Sequence, residues 1–423
     1  MRPYIRDKGY PELVHGLGWL IGVLMTAPAL AQTISYEAPR SASVMRNNNP
    51  APLESETERP LGLHGSVTVS VTRQSNVLRR GNGTGDTSVT VSPLLWYQNE
   101  IGRHGLIVRY RGDYFKFKDL SGENSIDHNL QGDFLLDLTD RLQGRIGAGY
   151  IKGHEIRGQL GTVDTASTEP NRFTENSLEG SLTYGRRENI LQLTGTVGIS
   201  RLKYTNNNGG EGRNKINSDF LGGTVYYNLG PKTSLLASLG RREIDYVDPV
   251  EAFDLDSTET TVSVGARWEA TAITTGEVRI GRSKKDLKDP ARADFSGTTY
   301  SGRINWAPRE YSIFSFYASR ETTESTEAES DYTVSDLLGV SWSHTINEAW
   351  SLNARYSKGK DAFSSGREDK LTDWGVGVNY GLFRWGALGV QYAQTSRDSS
   401  EAENNFDDEI LFFTFSSSFG VSY

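Results

Sequence analysis

Eight arginines, Arg73, Arg109, Arg111, Arg145, Arg267, Arg279, Arg303 and Arg355, stand in segments whose neighbours alternate between apolar and polar. Several are two residues from another polar group: Arg109, Arg111 and Asp113; Arg267 and Glu269; Glu277 and Arg279; Arg303 and Asn305. In an extended strand that spacing puts both side chains on one face. Fixed guanidinium groups on one face can line a pore and attract anionic solutes. They can equally pair with Asp and Glu on adjacent strands and stiffen a wall. Both readings stand at this point, and both need a face that water reaches.

Catalytic chemistry has less to work with. Beyond residue 31 the histidines are His64, His104, His128, His154 and His344. A lipid-cleaving site would need a serine beside one of them. Ser343 and His344 are adjacent, so a strand would point them to opposite faces. His64 and Ser66 share a face but have no third partner in view. His128 and His154 fall in or near predicted outer loops, where serines are also present. Asp407-Asp408-Glu409 imitates an acid/base pair but reads as solvated charge at a loop-to-strand junction. The chain has no cysteine and no metal- or phosphate-binding motif, so no catalytic residue, cofactor or metal is expected.

The elements that would position these groups are strands. Leu106, Val108, Tyr110 and Tyr114 alternate with Arg109, Arg111 and Asp113. Val262, Val264, Ala266 and Trp268 alternate with Thr261, Ser263, Arg267 and Glu269, and Trp350, Leu352, Ala354 and Tyr356 with Ser351, Asn353 and Arg355. An arginine facing hydrocarbon would cost about 2–4 kcal/mol, so the polar set must face water while the apolar set faces lipid. Segments of this kind are separated by short and long connections in turn. Thr139-Asp140-Arg141 and Gly230-Pro231-Lys232 are short; 79–85, 155–172, 206–213 and 248–256 are long. The pattern predicts an all-β transmembrane antiparallel β-barrel of about 18 strands, with 16 as the alternative. Trp96, Tyr97, Trp306, Trp342, Trp350, Trp374 and Trp385 lie near predicted strand ends, where aromatic girdles are expected.

Both ends of the chain fit export to such a barrel. Residues 1–31 carry Arg2, Arg6 and Lys8, then an apolar run, then Ala29-Leu30-Ala31, the pattern of a cleaved signal peptide. Residues 32–62 are polar and aperiodic, as expected of a flexible periplasmic segment, and the barrel is expected over 63–423. The final residues place Phe419, Val421 and Tyr423 on one face and Gly420 and Ser422 on the other. Such an ending is similar to the C-terminal insertion signal that bacterial outer-membrane proteins present to the barrel-assembly machinery. The formal charge of -8 gives no electrostatic case for nucleic-acid binding.

Ser70-Val71-Thr72-Arg73-Gln74-Ser75-Asn76-Val77-Leu78-Arg79 resembles the opening motif of a family of β-barrel porins often found with exopolysaccharide biosynthesis genes. In that family an aspartate commonly precedes Ser-Asn; here Gln74 holds the place. Thr87-Ser88-Val89-Thr90-Val91-Ser92-Pro93, followed by Leu94-Leu95-Trp96-Tyr97, resembles the family's second strand. The resemblance implies an outer-membrane barrel associated with polysaccharide secretion and brings no catalytic residues. The expected function is a porin-like conduit for exopolysaccharide, whose partners are outer-membrane lipid and polysaccharide or its export components. A non-conducting surface scaffold or adhesin is the alternative, and a lipid-modifying barrel enzyme the third.

Overall fold

The computed structural model describes residues 61–158, 169–206, 213–247, 254–271, 273–325, 330–383 and 385–421. The expected signal peptide over 1–31, all but the end of the polar segment over 32–62, and Tyr423 of the expected insertion signal lie outside these residues. The strands of the first half are β1 (Gly62–Gln74), β2 (Asp86–Ile101), β3 (His104–Phe117), β4 (Ser125–Thr139), β5 (Leu142–His154), β6 (Arg172–Tyr184), β7 (Leu191–Tyr204), β8 (Lys215–Gly230) and β9 (Thr233–Tyr246). Those of the second half are β10 (Ser257–Thr271), β11 (Thr274–Leu287), β12 (Phe295–Arg309), β13 (Ser312–Glu324), β14 (Tyr332–Thr345), β15 (Trp350–Phe363), β16 (Glu368–Phe383), β17 (Gly386–Ser399) and β18 (Phe406–Val421).

Each strand pairs antiparallel with its sequence neighbours, and β1 pairs with β18 from Leu63↔Val421 to Gln74↔Ile410. The 18-stranded sheet is therefore closed, which removes the unpaired edges an open sheet would expose to lipid. Connections alternate in length as the sequence predicts. Two residues join β2 to β3, whereas eleven join β1 to β2. Long connections gather at one end, short turns at the other, the asymmetry of outer and periplasmic sides in such barrels.

Alternation decides which face is which. On β1, Leu63, Val67, Val69 and Val71 are exposed, while His64, Thr68, Ser70 and Thr72 are buried. The register carries this parity around the wall: Val69 meets Val91 and Phe415, and Thr68 meets Ser92 and Ser416. Apolar side chains thus form an outward belt and hydroxyls an inner lining. Pro93 interrupts the ladder, since Ser92 and Pro93 fall outside the β2–β3 pairing, as expected of a residue with no N–H to give.

Aromatics distribute less uniformly than predicted. Trp306, Phe314 and Trp342 stack in sequence on the outer face near the short-turn end, and Trp350 meets Tyr380 there. Trp96 instead takes the inward parity and stacks on His64 at 5.3 Å. Trp374 lies mid-strand, its Nε1 donating to Gln394 at 3.2 Å. Inside the barrel, near the outer ends of β6 to β9, Phe173, Leu202, Tyr204, Ile216, Ile244, Tyr246 and Leu255 form a buried apolar cluster.

Candidate functional site

The inward parity brings together most of the polar groups singled out in the sequence. Arg109 on β3 donates to Asp133 on β4 at 2.8 Å. Arg145 on β5 donates to the other oxygen of Asp133 at 2.8 Å and to Glu179 on β6 at 2.8 Å. One ladder, Arg109–Asp133–Arg145–Glu179, thus spans four strands with charges alternating in sign. Arg111 donates to Asp113 at 2.9 Å, and Ser92 donates to the same carboxylate at 2.6 Å.

A second set lines the opposite wall. Arg279 donates to Glu277 at 2.6 Å, and Arg267 lies over the Tyr226 ring at 4.3 Å while donating to Gln192 at 3.2 Å. Glu269 pairs at 2.6 Å with Arg187 of the short β6–β7 turn. Arg303 stands between Glu277 and Tyr317 in register, and the neighbouring Asn305 accepts from Ser315 at 2.8 Å. Arg355 donates to Asp373 at 2.8 Å, and Thr395 donates to the same group at 2.8 Å. Arginine and carboxylate alternate here too, so the wall offers dense donors and acceptors rather than a field of one sign.

Arg73 is a correction. It continues the series Val67, Val69, Val71 and therefore faces outward, near the outer end of β1. The rule that an arginine in a strand must meet water does not separate the lumen from the aqueous zone above the lipid tails. At the end of a strand either will serve, and parity decides.

Sequence reasoning missed a network in the barrel mouth. Asp408 is fully buried on the inner face of β18, a correction to its reading as solvated charge. It accepts from Arg79 of the β1–β2 loop at 3.1 Å, from Gln74 at 2.6 Å and from the backbone N–H of Asn76 at 3.1 Å. Arg79 also donates to the carbonyl of Arg157 at 3.0 Å, and Arg157 donates to Glu123 at 2.7 Å. Loops after β1, β3 and β5 are thereby tied to one another. Beside them Arg367 donates to Asp369 at 2.6 Å, and Arg397 lies over Phe406 at 5.2 Å. Across the mouth Arg213 donates to the carbonyls of Ser325 and Ser330, each at 2.8 Å. Glu324 ends β13 and accepts from Tyr246 at 2.6 Å and from Lys285.

The histidines take other partners than a nucleophilic serine. His128 lies in β4 rather than a loop, its Nδ1 3.0 Å from the Tyr110 hydroxyl, and His154 Nδ1 lies 2.9 Å from Asp127. His104 opens β3 at the short-turn end and accepts from the backbone N–H of Asp137 at 3.2 Å. Among the described residues no group of three or more His, Asp or Glu is placed to hold a metal ion. At the seam, Phe419 stands opposite Gly65, and Val421 pairs with Leu63.

A closed 18-stranded wall with a polar interior narrows the possibilities, and the family comparison decides among them. Residues 62–417 match the family described as Putative beta-barrel porin 2. The chain belongs to that family. Membership gives it the character of a porin-like β-barrel of the bacterial outer membrane, in contact with membrane lipid. No curated protein matches the sequence. Among solved structures, it is similar to the outer membrane protein OpdK of Pseudomonas aeruginosa, with 11% identity and a TM-score of 0.45 over 84% of this chain and 99% of that one. It is also similar to OccK3 (OpdO) of the same organism, with 16% identity and a TM-score of 0.46 over 85% and 96% of the two chains.

Proposed function

We propose that this porin-like barrel is a passive conduit for saccharide chains, with exopolysaccharide as its cargo. The ladder Arg109–Asp133–Arg145–Glu179 carries the reading. A polyhydroxylated chain sheds part of its hydration shell on entry, and alternating donors and acceptors replace it. Because the arginines are matched by carboxylates, no site binds so tightly that the chain stalls. Weak, repeated binding is the condition for conduction through a lined pore. Barrels of 16–18 strands are wide enough to leave an aqueous channel. Inward-facing Arg109, Arg111, Asp113, Arg145, Arg267, Glu269, Glu277, Arg279, Arg303 and Arg355 are the lining residues in this reading.

The same reading makes residues 1–31 a signal removed during export and 32–62 a periplasmic leader. Phe419, Val421 and Tyr423 are then the features presented to the barrel-assembly machinery, and polysaccharide-export components are the partners at the periplasmic end.

Reconstitution tests it. In planar bilayers the refolded barrel gives stepwise currents, and in liposomes uronic-acid oligosaccharides and neutral sugars both exchange. Silent bilayers with correctly folded protein would instead favour the scaffold reading. The Asp408–Arg79–Arg157–Glu123 contacts that draw loops over the mouth are the observation on its side.

A further inference from the structure

One arginine of the inner wall has nothing to hold. Arg303 lies near the middle of β12, shares the inward parity of Glu277 and Tyr317, and is exposed to the lumen. Among the described residues its guanidinium makes no ion pair, hydrogen bond or ring contact. Every other arginine of the lining described above reaches a carboxylate, save Arg267, which covers the Tyr226 ring.

Its two cross-strand neighbours explain why. Glu277 stands directly opposite on β11, but Arg279 engages it at 2.6 Å, and both of those side chains are largely buried. Tyr317 stands opposite on β13, but its ring lies across Gly339 of β14, on the side away from β12. A Cβ at Gly339 would fall 2.2 Å from that ring. The same strand adds two polar groups. Ser301 and Asn305 flank Arg303 on the inner face, at intervals of about 6.8 Å along the strand. Ser301 is exposed, and Asn305 accepts from Ser315 through its carbonyl oxygen, which leaves the amide nitrogen as a donor.

We propose that Arg303, flanked by Ser301 and Asn305, is the cargo-selecting subsite of the lumen and takes the carboxylate of a uronic-acid residue. The proposal rests on the conduit reading above and narrows its cargo to acidic saccharide chains. A planar guanidinium meets a carboxylate through two parallel N–H···O bonds, while the Ser301 hydroxyl and the Asn305 amide bond to sugar hydroxyls on either side. Because Arg303 is open to water, one such contact is weak and reverses readily, so the chain advances from one uronate to the next. The nearby carboxylates Glu277 and Asp373 are each neutralised by another arginine and repel the cargo little.

Calorimetry on the full mature barrel, folded in detergent, tests the site without any conductance measurement. The probes are trigalacturonate and maltotriose, matched in length and differing in charge. At low ionic strength trigalacturonate binds the wild type roughly fivefold more tightly than maltotriose, the scale of one exposed ion pair, and added salt removes the difference. The formal charge of -8 works against that preference, so the field of the whole chain does not supply it. Arg303→Gln binds the two sugars equally, Arg303→Lys keeps part of the preference, and Arg282→Gln on the outer face of β11 keeps all of it. Heat-modifiable gel mobility shows each variant folded, as expected for a side chain that supports no other. Equal binding of the two sugars by the wild type, or a preference that survives in Arg303→Gln, overturns the proposal. A barrel that prefers trigalacturonate through Arg303 yet stays silent in planar bilayers overturns the conduit reading and leaves the subsite standing.

Discussion

Asp133 and Arg145 face one another across β4 and β5 with 2.8 Å between Oδ1 and Nε, and Arg109 takes the second oxygen of the same carboxylate. Asp133 is almost fully buried, so its charge is the principal neutraliser of two guanidinium groups on the inner wall. Asp133→Asn keeps the shape and removes that charge. Under a salt gradient the reversal potential of the variant pore moves toward anion selectivity. An unchanged potential would mean that Arg109 and Arg145 lie off the ion path.

Arg79 and Asp408 have side chains only 8% and 0% exposed, which fixes the cost of separating them. Removing one partner of a buried pair typically destabilises by about 3–5 kcal/mol because the other charge is left uncompensated. Arg79→Ala therefore lowers the urea midpoint of the folded barrel. Arg79→Ala with Asp408→Asn recovers most of it, since no buried charge remains unmatched. Both variants also conduct more than the wild type if the tied loops restrict the mouth.

The seam can be probed at Gly65. A Cβ there would fall 2.5 Å from the Phe419 ring and 2.7 Å from Leu95, so the aromatic lies directly over the glycine. Gly65→Val displaces Phe419 and costs roughly 1–3 kcal/mol through overpacking. The measured effects are a lower melting midpoint on the gel-shift assay and slower insertion into liposomes. A variant that inserts and melts like wild type would show that the ring contributes nothing to closure.

Much of this architecture was legible because alternation is a strong local pattern. Leu106, Val108 and Tyr110 against Arg109 and Arg111 report a two-faced strand without knowledge of its neighbours, and turn residues such as Gly230-Pro231-Lys232 mark its end. Arg73 was misjudged because its type was weighed above its parity. Asp408 sits in a run of three acids that resembles solvated charge, and the donors that let it be buried, Arg79, Gln74 and the Asn76 N–H, lie more than 300 positions away. The mouth network draws on loops whose parent strands are far apart around the wall, and no window of sequence contains it.

Aromatic placement offers a separate check. Trp96 stacks inward on His64, whereas Trp306 and Trp342 sandwich Phe314 on the outer face. A brominated acyl chain quenches indole fluorescence on contact. Trp306→Phe and Trp342→Phe each reduce the quenched fraction, and Trp96→Phe does not. Equal losses from all three would contradict the assignment of faces.

Asp408 belongs to the last strand, which the ribosome delivers after every loop it restrains. Until β18 docks beside β1, the Arg79 loop lacks its carboxylate anchor, so a nascent barrel is less firmly latched as well as open-sided. Sealing the cylinder and ordering its entrance are thus one event, and a precursor stalled short of that event would leak whatever the finished protein retains.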